Sequence, residues 1–215
     1  MLLADQFFLI ALDGRTGQPR LSAKALGLGL AGGLLGELVA QGRIAVAGGR
    51  VQVIDRRPPI DALAHTILDH LLAEPREHPV RTWLVFLGRT SREQVAGRLW
   101  RAGHIARKRS RRMWRTAPLY LPVDVNTAYA PGARLADSLN RARQLTWSEA
   151  ALAGLVVATG LEGHVLFTSE PAARDHLRHI VSHLPGDLHE LVWHVHAAVG
   201  DAVLTGRTRG SGFVP

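Results

Sequence analysis

The sequence predicts a mainly α-helical fold: a single compact helical domain with two β-hairpins. Apolar residues recur at three- and four-residue spacing over most of the chain, which is the pattern of amphipathic helices. Two stretches instead show the alternation typical of paired strands. The 215 residues are 47% hydrophobic, which suits one folded domain with a full core. We expect this domain over residues 1–205 and a flexible, glycine-rich tail over 206–215.

The N-terminal part of the chain contains one ambiguous apolar run and one clear helix. The run from Phe7 to Leu12 is too short for its periodicity to distinguish a strand from a buried helix. Leucines then recur every four residues from Leu26 to Leu38, which indicates an amphipathic helix. Ser22 is placed to cap the start of this helix, and Gly42 is placed to end it.

The next elements are a hairpin and three helices. Gly48-Gly49 separates two alternating runs and supplies the positive φ angles of a tight hairpin turn. Helices are expected over residues 63–72 and 80–87. Ser91 is placed to cap a further helix, which should end at Gly103.

The second half of the chain begins with a longer hairpin over residues 104–122, which has a strongly basic centre and is named the basic hairpin here. Helices are then expected over residues 137–144, 148–159, 177–184 and 188–203.

Gly27, Gly29 and Gly32 match the pattern G-x-G-x-x-G, which in dinucleotide-binding proteins follows a strand directly. Here the preceding apolar run ends at Leu12, and the glycines lie within the leucine helix. We therefore predict no dinucleotide cofactor and expect these glycines to let another element approach the helix closely.

The sequence carries no pattern typical of an active site. It has no cysteine, no G-x-S-x-G elbow and no G-x-x-x-x-G-K-[ST] loop. His176, His179 and His183 share one helical face, but this face borders the apolar side of the helix and offers no clear fourth ligand. We predict no enzymatic activity, no catalytic residue, no cofactor and no metal site.

Positive charge is concentrated in one segment of the chain. The net charge is +8, yet residues 76–115 hold twelve basic residues and only two acidic ones, an excess of ten. This concentration favours an anionic partner: nucleic acid, an acidic protein or an anionic lipid surface. A solvated arginine-rich face without a ligand is the alternative.

Two parts of the basic segment are candidates for binding phosphate. Arg89 and Arg92 flank the start of the helix that Ser91 is expected to cap, where free backbone N–H groups favour an anion. The basic hairpin adds cationic side chains with two amphipathic ones among them, a mixture that suits a membrane interface: Arg107, Lys108, Arg109, Arg111, Arg112, Met113, Trp114 and Arg115.

Three functions fit these observations. The first is a non-enzymatic protein that binds anionic lipid headgroups. The second is a winged-helix-like module that binds nucleic acid, since a helix, a glycine and a basic hairpin also suit that plan. The third is an assembly protein whose basic hairpin docks an acidic partner or a second copy of the chain. The sequence shows no secretion signal and no apolar run long enough to span a bilayer, so we expect a cytoplasmic protein peripheral to the membrane.

The order of elements resembles the Golgi phosphoprotein 3 family of phosphoinositide-binding peripheral membrane proteins. The most recognisable stretch is Gly29 to Val46, which follows D-G-R-T-G at residues 13–17. Further similar stretches are Asp61 to His70, Val80 with Trp83, and Arg98 to Ile105. Only two of the 26 basic residues are lysines, a composition typical of genomes rich in G and C, so we expect a prokaryotic member.

The resemblance implies a mainly helical, non-catalytic protein that binds phosphatidylinositol 4-phosphate on a basic face. In eukaryotic members this binding recruits the protein to Golgi membranes, where it engages cytosolic tails of glycosyltransferases, and the hairpin contributes to membrane contact and self-association. Two arginines of the family's headgroup site fall on Arg89 and Arg92. Ala31 stands in place of a third arginine, and the family's tryptophan falls near Leu21 or Ser22.

Overall fold

The computed structural model describes residues 1–74, 76–108 and 118–210. Within these ranges it is 62% helical, with ten helices and two antiparallel two-stranded sheets, which confirms the predicted fold class. In chain order the elements are α1 (Leu3–Ile10), α2 (Ala23–Ala40), β1 (Ile44–Ala47), β2 (Arg50–Val53), α3 (Ala62–Ala73), α4 (Val80–Gly88), α5 (Ser91–Arg101), β3 (Ile105–Lys108), β4 (Leu119–Pro122), α6 (Val125–Asn140), α7 (Trp147–Ala158), α8 (Glu162–Val165), α9 (Pro171–Ser182) and α10 (Gly186–Gly210).

Helix α2 is the centre of the fold. Ser22 caps it as predicted, because its Oγ accepts a hydrogen bond of 3.2 Å from the backbone N–H of Ala25. The helix packs against α1, α4, α5, α7 and α10. Contrary to the expectation that no apolar run is long enough to span a bilayer, the 18 residues of α2 are long and apolar enough by length and composition, with a mean hydropathy of 1.4. However, 78% of them are buried inside the fold. The helix α2 is therefore apolar because it forms the centre of the core.

The glycines of α2 allow its neighbours to approach closely, as the sequence predicts. A Cβ atom at Gly27 would collide with the carbonyl oxygen of Gly88 in α4. A Cβ at Gly29 would stand 2.5 Å from the Phe7 ring, and one at Gly32 would stand 2.5 Å from Cγ2 of Val195. The G-x-G-x-x-G pattern is thus a helix-packing pattern in this chain.

We expect Gly27→Ala to lower the free energy of unfolding by about 1–3 kcal/mol, because the new methyl group must push α4 away from α2. The matched control is Gly97→Ala in α5, where an added Cβ meets nothing within 4 Å. That change should leave stability unchanged or raise it by ~0.5–1 kcal/mol through the better helix propensity of alanine. Urea denaturation of both variants measures the difference, and equal effects would contradict the close contact of α2 with α4.

The structure shows the conformation of the ambiguous first run and of the described parts of the two hairpins. The apolar run near the N-terminus is the buried helix α1. In the first hairpin, Gly48 and Gly49 have φ angles of 59° and 73°, which are the positive values that the predicted tight turn requires. In the basic hairpin, β3 pairs with β4 so that Lys108 lies opposite Leu119.

Two expected helices begin earlier in the structure. The helix expected over residues 177–184 begins at Pro171 and ends at Ser182. The helix expected over residues 137–144 begins at Val125, where Asp124 caps it, and continues through Pro131 to Asn140. Proline followed by glycine normally indicates a break, but here both lie within one helix, and Pro131 is buried against the core. The short helix α8 was not expected from the sequence. The boundary predicted at residue 205 stays a prediction: α10 includes residues 206–210, while 211–215 lie outside the described residues.

Candidate functional site

The connection between α4 and α5 is fixed to the centre of the fold. Gly88 ends α4 against Gly27 of α2. Ser91 is fully buried, and its Oγ donates a hydrogen bond of 3.0 Å to the carbonyl oxygen of Gly27. The prediction that Ser91 caps α5 is therefore wrong: the N-cap residue is Thr90, which forms no side-chain cap bond. The Ser91 hydroxyl instead links the first turn of α5 to α2. The local sequence does not indicate this contact, because Gly27 is distant in the chain.

Arg89 lies at this connection. Its backbone is helical, with φ −68° and ψ −33°, so the residue continues the last turn of α4. The side chain is exposed and forms no hydrogen bond or ion pair with any residue that the structure describes. All the donors of its guanidinium are consequently available to an external anion.

Arg92 is held on the other side of the same turn. Its Nη2 donates a weak hydrogen bond of 3.4 Å to the carbonyl oxygen of Pro118, and its guanidinium carbon lies 6.0 Å from the centre of the Tyr120 ring. Its Nε is buried and has no hydrogen-bond partner among the described residues. A buried donor without a partner costs free energy, which the side chain would recover by moving toward an external acceptor.

The ends of β3 and β4 that flank residues 109–117 lie near Arg92. Pro118, the residue that Arg92 contacts, directly precedes β4, and Leu119 pairs with Lys108 at the end of β3. Arg107 and Lys108 are exposed. The other predicted hairpin residues lie outside the described residues: Arg109, Arg111, Arg112, Met113, Trp114 and Arg115. The structure therefore places Lys108 and Pro118, which flank residues 109–117, near Arg92 at the start of α5.

Not every cation of the basic segment belongs to a free surface. Arg81 pairs with Asp201. Arg98 is 8% exposed and lies within a cluster of acidic side chains from outside the segment. The excess of ten positive charges in the sequence thus overstates the charge that this region offers to a partner.

The Arg98 cluster joins α5 to α1, α2 and the start of α3. Arg98 donates through Nε to Asp5 at 2.8 Å and through both Nη atoms to the two carboxylate oxygens of Glu37 at 2.9 Å. It also donates to Asp61 at 2.9 Å. Burial raises the pKa of Asp5 and of Glu37. Burial lowers the pKa of Arg98, but the hydrogen bonds to Glu37 and the charges of the three carboxylates together outweigh burial and raise it. The guanidinium is occupied by protein carboxylates, so the cluster stabilises the fold and offers nothing to a ligand.

The three histidines on the predicted helical face border a surface groove between α9 and residues 142–150. The rings of His179 and His183 lie 4.2 Å apart, and His176 approaches the carbonyl oxygen of Arg143 at 3.3 Å. Among the described residues, no group of three or more histidine, cysteine, aspartate or glutamate side chains is arranged to hold a metal ion.

Comparison with known proteins gives the family. No curated protein matches the chain. The family model described as Golgi phosphoprotein 3 (GPP34) matches residues 3–203, which is nearly the whole chain. This family is known as one of non-enzymatic adaptors. The match extends over α1 to α10 and includes the α4–α5 connection and both hairpins. The chain belongs to the Golgi phosphoprotein 3 family.

Proposed function

We propose that this protein is a non-enzymatic, cytoplasmic adaptor that associates peripherally with membranes by binding anionic lipid headgroups, with phosphatidylinositol 4-phosphate as the ligand that family membership suggests. The observation that carries the proposal is the pair of arginines at the start of α5. Arg89 has no partner among the described residues, and Arg92 keeps a buried Nε without an acceptor. No cofactor or metal ion is part of this function.

The chemistry of the α5 N-terminus supports an anionic ligand. Thr90 forms no cap bond with its side chain, so backbone N–H groups of the first turn remain available beside the two guanidinium groups. Glu93 in the same turn brings one negative charge, which the two arginines outweigh. A phosphate monoester presents several acceptor oxygens and fits this set of donors better than the single charge of a phosphodiester.

The family's other two headgroup positions offer no donor of the same kind. Ala31 is fully buried within α2, and its methyl group forms part of the core. Leu21 is half-buried against the core, and Ser22 is occupied as the cap of α2. We therefore expect binding that relies on Arg89, Arg92 and the basic hairpin, with weaker discrimination among phosphoinositides than a complete site would give.

Vesicle co-sedimentation tests the proposal. The protein should sediment with phosphatidylcholine vesicles that contain phosphatidylinositol 4-phosphate, and much less with pure phosphatidylcholine, at moderate salt. Changing both Arg89 and Arg92 to Gln should weaken binding. The charge-matched control for that variant changes Arg56 and Arg178 to Gln, both exposed and outside the site, and should bind like the wild type. Equal binding to neutral and anionic vesicles would reject the proposal. Salt-dependent binding to duplex DNA, at concentrations where vesicles bind none, would favour the nucleic-acid hypothesis instead.

Variants of the arginine pair and variants of the basic hairpin should lose vesicle binding in different ways. Arg92→Lys keeps the charge but loses the planar fork, so we expect about a tenfold loss on vesicles with the phosphorylated lipid and little change on phosphatidylserine vesicles. Removing Arg111 and Arg112 should weaken binding to every anionic vesicle by roughly 2 kcal/mol at low salt, since each acts through the surface potential. Identical losses for both variants on all lipids would mean that no headgroup pocket exists here.

A further inference from the structure

Helix α4 exposes two apolar side chains directly beside the arginine pair. Val85 is 41% exposed and Phe86 is 46% exposed. Because Arg89 continues the helical backbone of α4, Phe86 lies one turn before it on the same face. The exposed face of α4 therefore changes from apolar to cationic within one helical turn.

The Phe86 ring is held in place by its neighbours. It lies edge-on to His70 at 5.6 Å and to Trp83 at 5.8 Å between ring centres. Together with Thr82, these rings border a shallow cleft of about 230 Å³. An aromatic side chain that is already ordered loses little conformational entropy when it becomes buried in a second surface.

We propose that Val85 and Phe86 enter the interfacial layer of an anionic bilayer while Arg89 binds a headgroup. This inference rests on the proposed function and adds a second, apolar membrane contact to it. An aromatic ring one turn from an unpaired cation matches a bilayer interface, where aromatic side chains sit at headgroup depth and cations meet phosphate.

Charge complementarity distinguishes the bilayer from other occupants. Of the acidic groups near this face, Glu74 contacts His78 at 3.3 Å and Asp201 pairs with Arg81. Glu93 on α5 adds one negative charge, which Arg89 and Arg92 outweigh. The positive charge beside the apolar side chains is that of Arg89, which has no partner among the described residues, and Arg92 follows three residues later. An anionic lipid surface fits this arrangement of apolar and cationic groups.

The first measurement compares variants in binding to phosphatidylcholine vesicles that contain phosphatidylinositol 4-phosphate. We expect Phe86→Ser to bind about five- to tenfold more weakly, because the buried part of one aromatic side chain is lost. The matched control is Phe167→Ser, which changes a residue that is 81% exposed between α8 and α9 and should not alter binding. Thr82→Leu enlarges the apolar face and should strengthen binding, and sedimentation of this variant without vesicles serves as the check for misfolding.

The second measurement uses the absence of cysteine from the chain. Val85→Cys, labelled with an environment-sensitive fluorophore, should shift its emission to shorter wavelength on these vesicles, whereas a label at Phe167→Cys should not. If the wild type binds the vesicles but the Val85 label does not shift and Phe86→Ser binds normally, the inference is wrong while the proposed function stands. If the wild type does not bind the vesicles, the proposed function is wrong, and so is the inference that rests on it. A change in oligomeric state of Phe86→Ser with unchanged vesicle binding would assign the face to a second copy instead.

Discussion

Replacing Arg98 with methionine is expected to lower the free energy of unfolding by about 3–5 kcal/mol, the typical cost of breaking a buried ion pair from one side. Arg98 contacts Asp5, Glu37 and Asp61, and the Glu37 side chain is 2% exposed. Without the guanidinium, buried carboxylates lose their counter-charge and several hydrogen bonds. Chemical denaturation monitored by circular dichroism measures the loss.

Two further variants sharpen this experiment. Arg101→Met changes an exposed arginine at the end of the same helix and should alter stability by less than ~0.5 kcal/mol. The double variant Arg98→Met with Glu37→Met should regain part of the stability, because an apolar pair removes two buried charges together. If Arg98→Met and Arg101→Met have equal small effects, the buried cluster does not stabilise the fold.

Truncation of two central core side chains should give the next largest losses in the free energy of unfolding. Leu34 of α2 and Val195 of α10 are both fully buried. Leu34→Ala and Val195→Ala should each lower the free energy of unfolding by about 2–4 kcal/mol, through lost burial and the cavity left behind. The control is Val123→Ala, at a valine that is 65% exposed and should change stability little. An unchanged melting temperature for both core variants would show that the core lies elsewhere.

The fold follows from the sequence where a pattern is local and complete. The leucine spacing of α2, its serine cap and the Gly48-Gly49 turn each depend on residues close together in the chain, and the structure has all three. The glycines within α2 also carried a usable signal, since a helix interior tolerates them only where close packing compensates for their entropy. The start of α6 was missed because Pro131 normally breaks a helix.

The candidate site depends on contacts between distant residues, and sequence shows less of it. Counting charges identified the basic segment but not the pairing of Arg81 with Asp201 or of Arg98 with Glu37. One signal was available: Glu37 is the only acidic residue in α2, whose other residues are apolar apart from Lys24 at its start, and this indicates a buried partner. No comparable signal places Pro118 and Tyr120 against Arg92, because that contact depends on how the hairpin packs on α5.

The central position of α2 also has a consequence for synthesis of the chain. One face of α2 is covered by α10, where Val195 lies against Gly32. About 145 residues separate the end of α2 at Ala40 from the start of α10 at Gly186. At ~5–20 residues per second, the ribosome needs ~7–30 s to make them. Throughout that interval an apolar helix of membrane-spanning length lacks its final cover, so nascent chains that pause before α10 should be the ones that chaperones or the membrane-insertion machinery capture.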